Sequence, residues 1–401
     1  MLLYKFPDNF LWGAATSSHQ IEGNNFLNDW YEGEVSEKVP LCGIACDSYH
    51  RYKDDIVLLK EIGCNAYRFS LEWSRICPTK EDIDYIALEH YKHCASALLK
   101  HNIVPVITIN HFTLPKWFLA DGGWQSRESV HVFTEFTDLV SEYFRDSGVK
   151  YWITLNEPLV YIFNSYISGI WPPFVNSDIP GAYKALENLK KAHFCAYHAI
   201  KHFIPDSQVS MAKHYRWFRP CSCRVPFFNK VAAFLRDLIF NHDFTEFCIH
   251  NKCIDFLSVN YYTGEFVKWK LNSPIGDTCS CKMNDYSQNT LGWFNAPDEF
   301  THALLRYKKS GLPIIITENG TTAHTQEDYS HYLTTHLKAV VSAMQQGADI
   351  KGFFYWSLMD NYEWAEGYNA KFGLADINRN MKEFSKIYSG ICKSNSLNID
   401  D

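Results

Sequence analysis

Two glutamates stand at matching places in the chain. "YWITLNEP", residues 151–158, and "PIIITENG", residues 313–320, each carry apolar or β-branched residues into a glutamate beside an asparagine. One such run reads as a strand that leaves its core through a polar edge. Two of them bring a pair of carboxyl groups, Glu157 and Glu318, to the ends of two buried strands. That pair suits glycoside hydrolysis, in which one carboxyl group protonates the leaving oxygen while the other serves the anomeric carbon of an oxocarbenium-like transition state. A gap of about 5–5.5 Å between them makes the second a nucleophile and retains configuration, whereas about 6.5–9.5 Å leaves room for water and inverts it. The sequence leaves that distance open. Arg68, in "AYRFSLEW", is a cation able to keep one of the two ionised, while the carboxyl in drier, more negative surroundings keeps its proton.

These residues need a frame. Short β-rich runs alternate with longer stretches of helical period along nearly the whole chain, which predicts a parallel sheet. Strands are expected at 10–17, 66–73, 104–110, 151–157, 208–217, 255–262, 313–319 and 350–360, and helical stretches such as "DYIALEHYKHCASALLKHN" and "HVFTEFTDLVSEYFRDSG" follow them. Eight such units predict a closed (β/α)8 barrel, an α/β fold, as one catalytic domain over residues 1–401. Neither GxGxxG nor GxxxxGK[ST] is present to favour a nucleotide-binding sheet. In such a barrel the site lies at the carboxyl ends of the strands. Polar and aromatic residues collect there: Gln20, Arg68, His111, Asn156, Glu157, Asn260, Tyr262, Glu318 and Trp356.

Composition narrows the partners. A net charge of −7 with scattered Lys and Arg disfavours nucleic acid and acidic membranes, while 12 Trp and 24 Tyr provide apolar faces suited to sugars. The amino terminus lacks the pattern of a secretory signal, and no apolar run is long enough to span a bilayer, so a soluble cytoplasmic protein is expected. Most of the 13 cysteines fall inside helix-like or strand-like patterns, as reduced buried thiols do. Two "CSC" pairs, Cys221/Cys223 and Cys279/Cys281, lack the usual two-residue gap of zinc ligands, and the expectation is no metal and no cofactor.

Six ordered motifs then give the chain a likeness. "FLWGAATSSHQIEG", "YRFSLEWSRI", "TLNEP", "VNYYT", "ITENG" and "YWSLMDNYEWAEGYNAKFGL" resemble the signatures of family 1 glycoside hydrolases, the β-glucosidase and β-galactosidase family. The resemblance implies a retaining β-glycosidase that removes a terminal β-D-glucosyl, galactosyl or fucosyl residue through a covalent glycosyl-enzyme. It makes Glu157 the general acid/base and Glu318 the nucleophile, with Arg68 and Tyr262 contacting Glu318 and Asn156 binding the sugar 2-hydroxyl. Gln20, His111, Asn260, Glu363 and Trp364 would hold other hydroxyls, Trp356 would floor the sugar and Phe372 would line the wall near its 6-position. An intact Glu363, where members acting on 6-phosphorylated sugars tend to carry serine, implies an unphosphorylated glycoside.

The chain also departs from that pattern. It is shorter than typical members, and Phe112 and Thr113 in "HFTLP" replace a tryptophan and an aspartate. Leu159 stands where tryptophan is frequent, and Thr321 where an apolar residue is common. Trp293 and Trp171 are candidates to line the leaving-group side with Phe112 and Leu159. The rival readings are a glycan-binding protein on the same barrel, which would commonly lack one of the glutamates, and a 6-phospho-β-glycosidase.

Overall fold

The computed structural model describes residues 3–223, 225–271, 273–280 and 286–400. Its central sheet holds strands β1 (Leu11–Ala15), β2 (Ala66–Ser70), β3 (Val104–Asn110), β4 (Tyr151–Asn156), β5 (Gln208–Pro220), β6 (Leu257–Lys270), β7 (Ile314–Asn319) and β8 (Ile350–Trp356). Each pairs in parallel with its neighbours in sequence order, β8 pairs with β1, and the ring is a closed eight-stranded barrel. The strands can run parallel because the interleaved segments are helices: α1 (Ser48–Ile62), α2 (Tyr85–Lys100), α3 (Ser129–Phe144), α4 (Ile179–Phe203), α5 (Pro226–Asp237), α6 (Pro297–Lys308), α7 (Gln326–Gln345) and α8 (Ser385–Ser394). Several start where their sequences provide an acceptor for orphan N–H groups. Asp84 accepts from Ile86 and Ala87, Asp178 from Gly181 and Thr325 from Asp328.

Strand periodicity divides the core in two. Leu11, Ala15, Ala66, Val106, Ile153, Ala212, Ile315, Phe354 and Trp356 fill the barrel, while their strand neighbours Trp12, Ala14, Trp152, Ile316, Phe353 and Tyr355 pack outward against the helices. Successive side chains on a strand point to opposite faces, so both faces of this sheet must be apolar. That is why these strands read as nearly continuous apolar runs.

Several expected boundaries move: β2 and β8 end at Ser70 and Trp356, short of 73 and 360, and β5 runs on to Pro220, past 217. β6 continues beyond 262 to Lys270, leaving the barrel to pair antiparallel with the short strand Ser273–Thr278. The chain stays extended there because the partner strand covers it. α5 begins at Pro226, since proline at the first helical turn carries no N–H to leave unpaired. Cys281 lies outside the described residues. Among those residues no helix is long and apolar enough to cross a membrane.

Candidate active site

Strict alternation along β4 and β7 would send the key side chains the wrong way. On β4, Ile153 faces the barrel interior, yet Leu155 packs in the outer core and Thr154 bonds His193 of α4 at 2.7 Å. A register shift against β5, between Ile153 and Asn156, absorbs an extra residue and turns Asn156 inward. β7 repeats the device: Ile315 faces inward and Ile316 outward, the pairing with β6 shifts at Asn260, and both Thr317 and Glu318 then reach the mouth. Bulges re-aim side chains in this way at barrel rims. Beyond β4, Glu157 itself adopts left-handed backbone, φ 43°, immediately before Pro158. Phe112 and Trp364, also at the site, have φ 73° and 51°. For non-glycine residues these conformations are strained and persist only where surrounding packing enforces them.

Glycine is required two residues after Glu318. A Cβ on Gly320 would sit 1.9 Å from the carbonyl oxygen of Trp356, so the backbones of the β7 and β8 ends touch there. We expect Gly320→Ala to cost about 1–3 kcal/mol or more as overpacking, and to lower kcat by displacing Trp356 or Glu318. Thermal unfolding and initial rates check this; an unchanged Tm and rate would show that the contact is not limiting.

The two glutamates occupy different environments. Arg68, fully buried, forms an ion pair through Nη1 with Glu318 Oε1, and Tyr262 donates its hydroxyl to Glu318 Oε2 at 2.7 Å. The same guanidinium donates through Nη2 to Asn156 Oδ1 at 2.7 Å and through Nε to Thr108 at 3.0 Å. Glu157 Oε1 instead accepts from Asn260 Nδ2 at 2.7 Å and lies 3.1 Å from His214 Nδ1. Asn260 also reaches Asn156 Oδ1 at 3.3 Å and accepts from Thr317 at 2.7 Å. One network therefore runs from Glu318 through Arg68, Asn156 and Asn260 to Glu157.

Burial raises Glu318 to about 7; Arg68 opposes that rise and the charge of Glu157 adds to it. Burial pushes Glu157 up as well, but a protonated His214, the Asn260 amide and Arg68 together outweigh it and hold this carboxyl below its usual value. His214 is itself pushed down, by burial first and by Arg216 and Lys213 after it, against the pull of Glu157. Once His214 is neutral Glu157 loses the strongest charge that lowers it and keeps only the weaker pull of Arg68, whereas that same guanidinium is ion-paired directly with Glu318. The proton shared by the pair then belongs on Glu157.

Around the carboxylates lies a pocket of rings and hydrogen-bonding groups. Asn156 Nδ2 meets His111 Nε2 at 3.0 Å, and burial, reinforced by Arg68, drives His111 well below its usual pKa. A neutral ring that accepts at Nε2 carries its proton on Nδ1, which is buried without a protein partner. Gln20 donates to Glu363 Oε2 at 3.1 Å and is oriented by Ser17 and Asn361. Burial raises Glu363 to about 8, the Trp356 side chain opposing and Glu318 adding. His111 stacks between Trp356 and Trp364 at 5.9 and 6.1 Å, while Phe372 stands 6.1 Å from Tyr262. Of the four residues expected on the leaving-group side, only Trp293 is half-buried, with its ring 5.7 Å from Tyr262 and 5.9 Å from Phe372. Phe112, Leu159 and Trp171 are buried, and Phe112 packs on Trp171 and Trp364 at 4.8 and 5.2 Å, so these three shape the wall from behind.

Sequence reading missed His214 and its neighbour Lys213. Lys213 is 3% exposed, pushed down to about 7 by burial, bonded to the His214 carbonyl and 4.2 Å from the Phe240 ring. A lysine and histidine inside the apolar frame of "VSMAKHYRW" were the available signal, since charged groups rarely enter a barrel strand without a task.

Comparisons with known proteins agree with this geometry. The family model for glycosyl hydrolase family 1 matches residues 3–250 and 238–396. The chain is 32% identical over 451 residues to beta-glucosidase A of Thermotoga maritima, covering 99% of this chain and 100% of that protein. It is 32% identical to beta-glucosidase 14 of Arabidopsis thaliana, over 95% of this chain and 90% of that one. Among solved structures, a beta-glycosidase from Pyrococcus horikoshii superposes with a TM-score of 0.90 at 33% identity, covering 100% of this chain and 97% of that one. The T. maritima beta-glucosidase in complex with glucoimidazole gives 0.90 at 30% identity, over 98% of this chain and 100% of that one. A barrel with this network at its mouth, matched by family over almost its whole length, belongs to glycosyl hydrolase family 1.

Proposed function

We propose that this chain, a retaining glycoside hydrolase by family, cleaves the terminal β-D-glucosyl residue of unphosphorylated glycosides, with Glu318 as nucleophile and Glu157 as general acid/base. The observation that carries the reading is the asymmetry of the two carboxyl groups. Glu318 is oriented by a permanent cation and a phenol, which suits an ionised attacking oxygen. Glu157 sits against the amide of Asn260 and a histidine that can lose its charge, which suits a group that gives up and regains a proton. Attack by Glu318 on the anomeric carbon, with protonation of the leaving oxygen by Glu157, forms a glycosyl-enzyme. Water deprotonated by Glu157 then attacks the same carbon and releases the sugar with its configuration retained.

The remaining groups fit a hexose. Asn156, held by Arg68 and His111, is suited to the 2-hydroxyl, where contacts strengthen in the transition state. His111, Gln20, Asn260, Glu363 and Trp364 would take the other hydroxyls, with Trp356 beneath the ring and Phe372 near its 6-position. Relatives named beta-glucosidases support glucose as the sugar. Below about pH 8 a protonated Glu363 exerts little repulsion on a 6-phosphate, so charge exclusion alone strengthens only above that pH. A panel of nitrophenyl β-glucoside, galactoside, fucoside and 6-phosphoglucoside tests the sugar. We expect the glucoside to be turned over fastest and the 6-phosphoglucoside least, the gap widening between pH 6 and pH 9. A preference for the 6-phosphoglucoside would reverse the reading.

His214 should act through Glu157. Replacing it with asparagine keeps a hydrogen-bond donor but removes the charge that lowers Glu157. With that charge gone, Glu157 keeps its proton at acid pH as well, so kcat/KM should rise on the acid side, where His214 is charged, and match the wild type where it is neutral. An acid side that does not change would remove His214 from this role.

The same reading takes residues 1–401 as one catalytic domain acting on a small-molecule glycoside. Cys46, Cys64 and Cys248, buried and outside any disulfide, support residence in a reducing cytoplasm.

A further inference from the structure

A second group of reactive side chains lies outside the catalytic mouth, where β5 ends and the strand paired with β6 returns. Cys221 and Cys223 follow β5, and Cys279 follows Ser273–Thr278. Fold topology brings these distant stretches together: Cys221 N–H donates to Val267 O at 2.8 Å and Cys279 N–H to Phe266 O at 2.7 Å, so both cysteines flank the same stretch of β6. Their sulfurs converge. Sγ of Cys223 and Cys279 are 3.8 Å apart, and Cys221 Sγ lies 2.6 Å from each of the other two.

Two of the separations are too short for non-bonded thiols, and the third suits a shared cation. Non-bonded sulfurs do not approach to 2.6 Å, and a disulfide, at about 2.05 Å, can join only two of three. Zinc–thiolate bonds of about 2.3 Å in a tetrahedron put neighbouring sulfurs about 3.8 Å apart, the spacing of Cys223 and Cys279. Opening Cys221 outward by about 1.5 Å makes the three sulfurs one face of that tetrahedron.

The backbone around the sulfurs is built to hold them. Asn229, 1% exposed on the first turns of α5, donates through Nδ2 to the carbonyls of Cys221 and Cys223, each at 2.8 Å. Its Oδ1 accepts from Trp269 N–H of β6 at 2.7 Å, so one amide fixes the Cys-Ser-Cys turn against both the helix and the strand. Cys221 and Cys279 are 1% and 2% exposed. Outer contacts that orient the ligand-bearing chain are what a metal site requires.

We propose that Cys221, Cys223 and Cys279 are thiolate ligands of a structural zinc ion that clasps the end of β5 to the extension of β6. Thiolate donors select zinc over the harder divalent cations, and the ion offsets the charge of sulfurs that burial would otherwise keep protonated. The ligands lie past the end of β5, the strand that carries His214, and the ion's role is to hold the extension in place.

The test uses the whole chain, purified with reductant and without chelator. Elemental analysis should find about one zinc per chain, and Cys223→Ser and Cys279→Ser should each reduce it to about a tenth or less. Cobalt alone, added to the metal-stripped wild-type chain, should produce a thiolate-to-cobalt charge-transfer band, a readout that holds even if a variant fails to fold. Zinc that persists in both serine variants would belong to other groups, such as His193 with Cys248 and Cys253, and would overturn the proposal. A reduced wild-type chain that gives no cobalt band, or an isolated chain lighter by two hydrogens with two thiols lost to titration, would also overturn it, the latter in favour of a disulfide.

Discussion

Glu318→Ala should abolish turnover of aryl β-glucosides, with a loss of at least about 10⁴-fold in kcat, because no other group can form the glycosyl-enzyme. Removing this carboxylate also leaves the buried guanidinium of Arg68 without its counter-charge. Thermal stability must therefore be followed beside activity. Azide separates the two effects: it fits the space the side chain vacates, attacks the anomeric carbon from the nucleophile's face and should restore turnover with an α-glycosyl azide as product. A folded variant with full activity, or rescue that yields the β-azide, would take the nucleophile's role away from Glu318.

Glu157→Ala should behave differently according to the leaving group. A poor leaving group needs its oxygen protonated as the bond breaks, so the glycosylation step should slow by about 10²–10⁴-fold. A dinitrophenolate leaves without help and should show a far smaller loss in kcat/KM. Because Glu157 also activates water in the second step, the variant should accumulate glycosyl-enzyme with the activated substrate, seen as a burst of phenolate and a lowered KM. Asn260 and His214 lose their acceptor in this variant, whereas the Arg68–Glu318–Tyr262 cluster stays whole, so folding should suffer less than in Glu318→Ala. Equal losses on both substrates would argue against the acid role.

These two experiments probe an asymmetry that neither motif contains. "TLNEP" and "ITENG" present the same residue types in nearly the same setting, and nothing local says which carboxylate meets a guanidinium. Arg68 lies on β2, far from both in sequence, and the barrel brings its Nη1 to Glu318 and its Nη2 to Asn156. His214 escaped notice for the same reason. Its partner is one strand away across a parallel pair, where the sequence carries no mark of register. The cysteines make the point again: an unusual spacing argued against a metal, yet three of the sulfurs meet because β6 and its short partner strand return the chain to the end of β5.

The sequence by itself determined the eight strands, the barrel they close and the two glutamates at its mouth. Apolar runs buried on both faces and amphipathic stretches between them have few other ways to pack, and a strand that ends in a carboxylate must present it at the sheet's edge. Only the tertiary structure decided how those carboxylates are aimed and charged. Alternation alone would bury Leu155 in the barrel and turn Asn156 and Glu318 outward; the slips of β4 against β5 and of β7 against β6 reverse this and point Asn156 and Glu318 inward. A slip is set by the pairing of two strands, and the charge on a buried carboxyl by neighbours drawn from several, so both depend on contacts that exist only once the barrel has closed.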